Sequence, residues 1–542
     1  MSETGERQIN FADGGDPAQS RLAALLIGLA VGAVLLRTAW IGDDALLSMH
    51  QVRLFVDGDG IVWNPGIRVQ AFTHPAWFGV LSALHWATGA MFWPAILISI
   101  ALTVGAVLIL WAFTRQHVMF GTAWAALLVL SVLLSRGFVD YGTSGLELPL
   151  SYALAAIVMW ILIFGGRSVW LWLALALLVL NRMDHAVMFG PLALGLLGRA
   201  LAERRMLGLI PGVVILLAWF GFATFYFGSP LPNTYFAKVG GQAGLEERLA
   251  KGLFYLTDAV LRDGFSIGVI LMGALAGFVR GGVLRLISLG LLLHLLYLIW
   301  IGGDFMRGRF LALPFFVSLF LVAAAVTPLR ARSWAVGLIG LALLAGQPPP
   351  LGQMFLQQQV IGGIADERGF YFREMAALSP NRVWPDRGEG AFDRRDADLV
   401  YAGCGGIGFS RYTAPSRLHL IDTCALTDPF LSRLPLPEGE IQRIGHASRR
   451  IPANYAAAIR GVAPLSAGQE LYDEIMLIAS GPLWAPERQA AILRRLIGQG
   501  AEAPAIFRTG GSDKVIFMPS NTAKPWYEAV AEARNPSEDT QE

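Results

Sequence analysis

Between residues 21 and 346 long apolar runs alternate with short polar breaks, a pattern that few folds can accommodate without a lipid bilayer. Of the 542 residues only 15% are charged, against about 25% in an ordinary soluble chain. The deficit is confined to that stretch, and the residues after it read as a soluble domain. Eleven runs have the character of spans: 21–40, 94–113, 121–135, 148–166, 169–181, 186–199, 208–227, 264–279, 286–301, 311–328 and 333–347. The sequence therefore predicts an α-helical polytopic membrane protein of about 11 transmembrane helices, followed by an extracytoplasmic α/β domain. The expected parts are a disordered cytoplasmic tail at 1–20, a transmembrane domain at 21–347 whose first outer loop is 41–93, the α/β domain at 348–525 and a flexible tail at 526–542. No cleavable signal peptide is expected, because the first apolar run is as long as a full span and lacks a small-residue cleavage site.

Arginines set the expected orientation. Arg115, Arg167, the Arg199/Arg204/Arg205 group, Arg280/Arg285 and Arg330/Arg332 fall in every second loop. Threading them places the N-terminus inside and the C-terminus outside the cytoplasmic membrane. Residues 75–86 must then form a short helix lying on the outer surface. The opposite loops hold most polar residues of chemical interest: Asp43, Asp44, Asn64 and His74, then Glu147, then Arg182, Asp184 and His185, then Asn233 and Lys238, then Asp304, Arg307 and Arg309. A net charge of +2 with no basic block makes nucleic acid an unfit partner.

Asp43-Asp44 is the sharpest of these features. Two adjacent carboxylates at a membrane boundary are costly unless paired or used. They can bind a divalent cation such as Mg or Ca, act as a general base toward a hydroxyl, or simply cap a helix. The residues alone leave these options open.

The wider pattern around the pair resembles the GT-C class of membrane glycosyltransferases. After the acidic pair come a helix with Arg53, the turn Gly58-Asp59-Gly60, Asn64-Pro65-Gly66, and Phe72-Thr73-His74-Pro75-Ala76-Trp77. Ser144-Gly145-Leu146-Glu147 follows in the same order, as do Arg182-Met183-Asp184, the run from Tyr226 through Ser229-Pro230-Leu231-Pro232-Asn233 to Lys238, and Gly302-Gly303-Asp304-Phe305-Met306-Arg307-Gly308-Arg309. At Met183 the chain departs from the family's Arg-Pro-acid pattern. Ile421-Asp422-Thr423-Cys424, Gly445-His446 and Gly481-Pro482-Leu483-Trp484 narrow the resemblance to bacterial arabinofuranosyltransferases.

That resemblance implies a polyprenyl-phosphate-linked sugar as donor, D-arabinofuranose in the closest subfamily, and an envelope glycan or glycoconjugate as acceptor. Another sugar, of mannose type, or a surface-protein acceptor is the alternative. Asp44 is then the expected base, with Asp43 as its partner. Lys238, Arg309, Arg307, Asn233, Asp304 and His74 are expected around the donor phosphate, and Glu147, Asp184, Arg182 and His185 around the sugar. A transporter of lipid-linked sugar is the rival from another class. It would need internal repeats and ionisable residues deep in the spans, where only His294 is found.

Gly403-Cys404-Gly405-Gly406-Ile407-Gly408 mimics a dinucleotide fingerprint, with Asp422 following at a suitable distance. The segment 408–418 contains Pro415 and is short for the required helix, so a turn between two strands is expected instead. Those strands end at Cys404 and Cys424, which are placed to form a disulfide if the strands lie side by side.

Overall fold

The computed structural model describes residues 17–117, 122–239, 244–325, 337, 340, 360–379, 400–414, 418–437, 447–452 and 454–509. Ten of the eleven expected spans fall on helices: α1 (Pro17–Thr38), α4 (Phe92–His117), α5 (Thr122–Leu130), α7 (Leu148–Phe164), α8 (Ser168–Asn181), α9 (His185–Ala202), α10 (Ile210–Phe227), α12 (Leu245–Arg280), α13 (Gly282–Ile301) and α14 (Arg309–Ala325). Between them lie α2 (Asp43–Asp57), α3 (Pro75–Thr88), α6 (Arg136–Tyr141) and α11 (Asn233–Val239). Apart from Gly337 and Gly340, the run 333–347 lies outside the described residues, as do the tail 526–542, His446 and most of 1–20.

Among the described residues six helices are long and apolar enough to cross a membrane: Ala18–Thr38, Phe92–Arg115, His185–Ala202, Leu207–Phe227, Leu245–Arg280 and Gly282–Ile301. Their outward faces carry Leu25, Leu29, Val214, Leu217, Leu275 and Leu296, all exposed. Such faces suit hydrocarbon and not water. Two hydroxyls inside the helices turn back on their own backbone: Thr114 Oγ1 donates to Leu110 O at 2.8 Å and Ser318 Oγ to Pro314 O at 2.7 Å. That satisfies them where no water is available. The expected span at 264–279 begins where α12 breaks, at Asp263, whose φ of −144° is not helical. The amphipathic half before the break is rich in Glu, Arg and Lys, so it carries no apolar run.

After these helices come β1 (Val360–Ile361) and β2 (Ile364–Ala365), an antiparallel pair, then α15 (Glu367–Met375). The strands β3 (Val400–Gly403) and β4 (His419–Asp422) run parallel, joined through α16 (Ile407–Thr413). The expectation of a plain turn here is corrected. The crossover contains a helix of seven residues, because the helix ends at Thr413 before Pro415 can interrupt it. Among the described residues four further helices follow, α17 (Tyr455–Ile459), α18 (Gln469–Ser480), α19 (Pro486–Leu496) and α20 (Ile506–Thr509). Phe430, Leu431, Tyr455, Leu471 and Ile475 form the core of this α/β part.

This part is bonded to the loops of the helical part rather than tethered beside it. Asn64 pairs with β4 as a strand would: its Nδ2 donates to Leu420 O at 3.0 Å and its Oδ1 accepts from Leu420 N at 2.9 Å. Arg411, almost wholly buried, donates through Nε to Trp63 O at 3.1 Å. Arg488 donates to Phe225 O and Tyr226 O, both at 2.9 Å, and so satisfies carbonyls left open at the end of α10. Arg68 N donates to Ala479 O at 2.9 Å. On the other side Ala365 pairs with Met306 and Ala376 with Trp40, while Arg368 donates to Asp140 at 2.6 Å.

Cys404 and Cys424 are disulfide-bonded, with Cα atoms 5.2 Å apart, beside the paired ends of β3 and β4. Thiol labelling of denatured, unreduced protein is expected to leave both cysteines unmodified and to modify both after reduction. Labelling of both without reduction would contradict the bond.

Candidate active site

Glu147 stands at the head of α7 with none of its side chain exposed. An ionised carboxylate so placed needs partners, and it has three. Arg309 Nη2 donates to both of its oxygens at 3.0 Å. Arg182 Nη1 donates to Oε1 at 3.0 Å. His74 Nδ1 approaches Oε2 at 3.4 Å. Burial alone would push the carboxyl up, but Arg309 and Arg182 overcome it and hold it well below the usual range. His74 itself is drawn down to about 4 by burial, so the ring is neutral, and its Nε2 pairs with Ser48 Oγ at 2.8 Å. Arg182 also grips Asp184, at 2.9 and 3.2 Å.

Local backbone explains why Glu147 can sit there. Gly145 has φ +79° and a Cβ on it would lie 2.9 Å from Ala45 and Ile41. Only glycine allows the 144–147 turn to press against the start of α2. Ser144 O accepts from Gly42 N at 3.0 Å, and Gly145 O accepts from Trp77 Nε1 at 2.9 Å. The first two sequence motifs therefore pack as one unit.

Asp43 and Asp44 part company at the head of α2. Asp43 is buried, and its carboxylate caps α16: Oδ1 accepts from Phe409 N at 2.7 Å and Oδ2 from Gly408 N at 3.2 Å. A Cβ on Gly408 would come within 2.1 Å of Asp43 O, so this contact requires glycine. Burial pushes the Asp43 carboxyl up to about 7 against the pull of the Phe409 amide. The amides with which a dinucleotide fingerprint would hold phosphate are thus occupied by a side chain of the same protein. Asp422, the acid of that apparent fingerprint, braces its own turn through Cys424 N and Thr427 N, both at 2.9 Å.

Asp44 keeps 28% of its side chain exposed and lies 3.8 Å from Arg309. Burial raises its pKa, Arg309 and Lys238 oppose that, and Asp304 and Glu147 reinforce it. The pair does not fit a shared divalent cation, since both oxygens of Asp43 are engaged by backbone amides. Among the described residues no group of three His, Cys, Asp or Glu side chains is placed to hold a metal.

Beside this cluster opens a cavity of about 350 Å³. Arg182, Asp184, Lys238, Asp304 and Arg309 give it a charged floor, and Tyr297, Trp300, Ile301 and Phe310 give it an apolar wall. Asp304 is buried; its Oδ1 accepts from Phe305 N at 2.9 Å, while Oδ2 has no hydrogen-bond partner in the described structure. Lys238 is exposed at the end of α11.

Other expected site residues lie elsewhere. Arg307 is clamped by Asp258, at 2.8 and 3.2 Å; neither it nor Asp44 lines the cavity, but Asp44 approaches the lining Arg309 to 3.8 Å. Asn233 is spent on the junction with the α/β part: its Nδ2 donates to Ala425 O and Leu426 O at 3.0 Å, and its Oδ1 accepts from Ser432 Oγ at 2.9 Å. His185 is buried with Nδ1 at 3.2 Å from Leu178 O. His294 pairs through Nε2 with Phe310 O at 3.1 Å, as a core histidine does. Asp258 is a member of the site's frame that the motifs did not single out. Its place three residues after Tyr255 on α12, whose hydroxyl donates to Met306 O, turns it toward the 303–309 loop.

A terminal β-(1→2)-arabinofuranosyltransferase of Mycobacterium tuberculosis is 27% identical over 411 residues, 63% of this chain and 64% of that protein. The enzyme of the same name from Corynebacterium glutamicum is 28% identical over 376 residues, 58% of this chain and 52% of that protein. Over these stretches the chain resembles arabinofuranosyltransferases. The resemblance read from the motifs is borne out at that level, over a stretch that spans less than two thirds of either relative. ArnT of Cupriavidus metallidurans, solved in the apo state and bound to undecaprenyl phosphate, matches with a TM-score of 0.41 in both forms. The identities are 18% and 17%, covering 60% and 61% of this chain and 63% and 64% of those chains. No family model matches.

Replacing Glu147 by Gln leaves Arg309 and Arg182 buried beside a neutral group, which should cost about 3–5 kcal/mol of stability. Because folding lowers the pKa of Glu147, its contribution is complete above the ordinary value of 4.5 and is lost as pH falls below it. Unfolding of wild type and Glu147→Gln followed from pH 7 down to 3 should show the difference between them shrinking in acid. A constant difference would contradict this role.

Proposed function

We propose that this protein is a GT-C-type glycosyltransferase that moves a sugar, D-arabinofuranose, from a polyprenyl-phosphate donor to an envelope glycan or glycoconjugate. The observation that carries the reading is the joining of two chemistries in one cavity, with the cations Lys238 and Arg309 beside the wall of Trp300, Ile301 and Phe310. A lipid-linked sugar phosphate needs both: hydrocarbon contact for its tail and positive charge for its phosphate. The likeness to arabinofuranosyltransferases supports the choice of sugar. The alternation of arginines among the loops supports a site on the outer face of the cytoplasmic membrane.

In this reading the acceptor hydroxyl oxygen bonds to the anomeric carbon while the bond from that carbon to the phosphate oxygen breaks. Asp44, partly exposed and with a raised proton affinity, takes the hydroxyl's proton. The departing polyprenyl phosphate carries away the bonding pair, and Lys238 and Arg309 meet its charge. Asp304, with one oxygen free, hydrogen-bonds a sugar hydroxyl. Glu147, His74, Arg182 and Asp184 hold Arg309 in place, and Asp43 holds α16 against α2. Arg307 and Asn233 brace loops rather than touch the donor.

The test is a transfer assay in membranes with labelled polyprenyl-phosphate arabinofuranose. Asp44→Asn should lose about 10²- to 10⁴-fold in rate, the range for a positioned general base, and Lys238→Gln should also slow transfer. Full activity in Asp44→Asn would refute the assigned base. Wild type that turns over only another sugar's polyprenyl phosphate would leave the class standing and refute arabinose.

A further inference from the structure

A second cavity lies on the far side of α11 from the first. Thr234, Tyr235, Ala237 and Lys238 face the first cavity, while Asn233 and Phe236 face the second, which has a volume of about 160 Å³. At roughly 30 Å³ per water that is the room of about five waters, or one monosaccharide ring. Three guanidinium groups line it: Arg68 from the first loop, Arg433 ahead of the domain core and Arg495 from α19. Arg495 is paired with Glu474 at 3.3 Å. The other two have no carboxylate partner among the described residues. Arg68 is half-buried and donates to the carbonyls of Ile478 and Gly481. Arg433 donates to Ser432 Oγ at 3.2 Å, and its guanidinium carbon sits over the Phe236 ring, 3.4 Å from the centroid. Burial first, and Arg495 next, pull the Arg433 guanidinium down to about 9.

Two partly buried cations without counter-charges are costly in a cavity unless an anion joins them. The remaining lining suits a sugar: Phe227 is an aromatic wall residue for ring C–H groups, and Gln70 and Ser229 are polar. Arg433 and Arg495 also line a neighbouring open cavity of about 470 Å³, with Glu502 among its residues. The two arginines therefore border both spaces.

We infer that this cavity is a second glycan-binding site, taking an acidic or phosphorylated sugar through Arg68 and Arg433. It is separate from the transfer cavity and does not depend on which sugar is transferred there. It would hold a charged residue of an extended acceptor while the growing end reaches past α11.

The test is equilibrium binding to the full-length protein in nanodiscs, with glucose 1-phosphate, glucuronate, glucose and inorganic phosphate as separate ligands. Glucose 1-phosphate or glucuronate should bind at least tenfold more tightly than glucose and than inorganic phosphate. The tighter of the two identifies the anion. Arg433→Gln should weaken that binding at least tenfold, Arg433→Lys should keep most of it, and Lys238→Gln should leave it unchanged. On wild type, the bound sugar should protect Arg433 from phenylglyoxal modification, read by mass spectrometry, a readout that stands even if Arg433→Gln does not fold. Equal binding of glucose, or of phosphate alone, would overturn the inference. So would loss of binding in Lys238→Gln, which would put the ligand in the transfer cavity, or an Arg433 that stays unprotected.

Discussion

The site depends on one buried ion cluster. Glu147 has no exposure to water, and its charge is tolerable only because Arg309 and Arg182 reach it from two other loops. In a low-dielectric interior none of the three groups can be left alone. The cluster therefore fixes the relative positions of the turn before α7, the turn before α9 and the turn before α14. Arg309 then has one edge committed to Glu147 and another 3.8 Å from Asp44. A cation held in advance loses little entropy when a phosphate arrives, and its field is already aimed where charge will develop.

A second constraint ties the soluble part to this arrangement. Asp43 lies next to Asp44 in sequence, yet its carboxylate serves α16 of the α/β part. Asn64, Arg411 and Asn233 make further bonds across the same boundary. Any shift of the α/β part would pull on the first turn of α2 and so move Asp44. The proposed acceptor-side surfaces and the proposed base are thereby mechanically linked, which a lid packed only through apolar contacts would not achieve.

Much of this was legible in the residues. Apolar runs located the helices because a bilayer demands long uninterrupted hydrocarbon, and Asp44, Glu147, Arg182, Lys238, Asp304 and Arg309 emerged as one set because their loops alternate with the arginine-rich ones. The individual roles were not legible. Nothing local distinguishes Asp43 from Asp44; the difference is a partner 365 residues away at Gly408. Arg307 and Arg309 are two residues apart and chemically alike, and only the position of Asp258 on α12 decides that the first is neutralised. The helix Ile407–Thr413 in the crossover after Gly403 escaped the sequence reading for a related reason: seven residues carry too little periodicity to register, and its first amides are met by a side chain from another part of the chain.

The central claim is that Lys238 and Arg309 meet a lipid-linked phosphate within reach of Asp44. A cryo-EM structure of the protein in nanodiscs containing polyprenyl phosphate tests it most directly. The phosphate is predicted to lie within hydrogen-bond distance of Lys238 Nζ and the Arg309 guanidinium, with the prenyl chain along Trp300, Ile301 and Phe310. Phosphate density against the other ends of the helices, near Arg167 or Arg280, would contradict it.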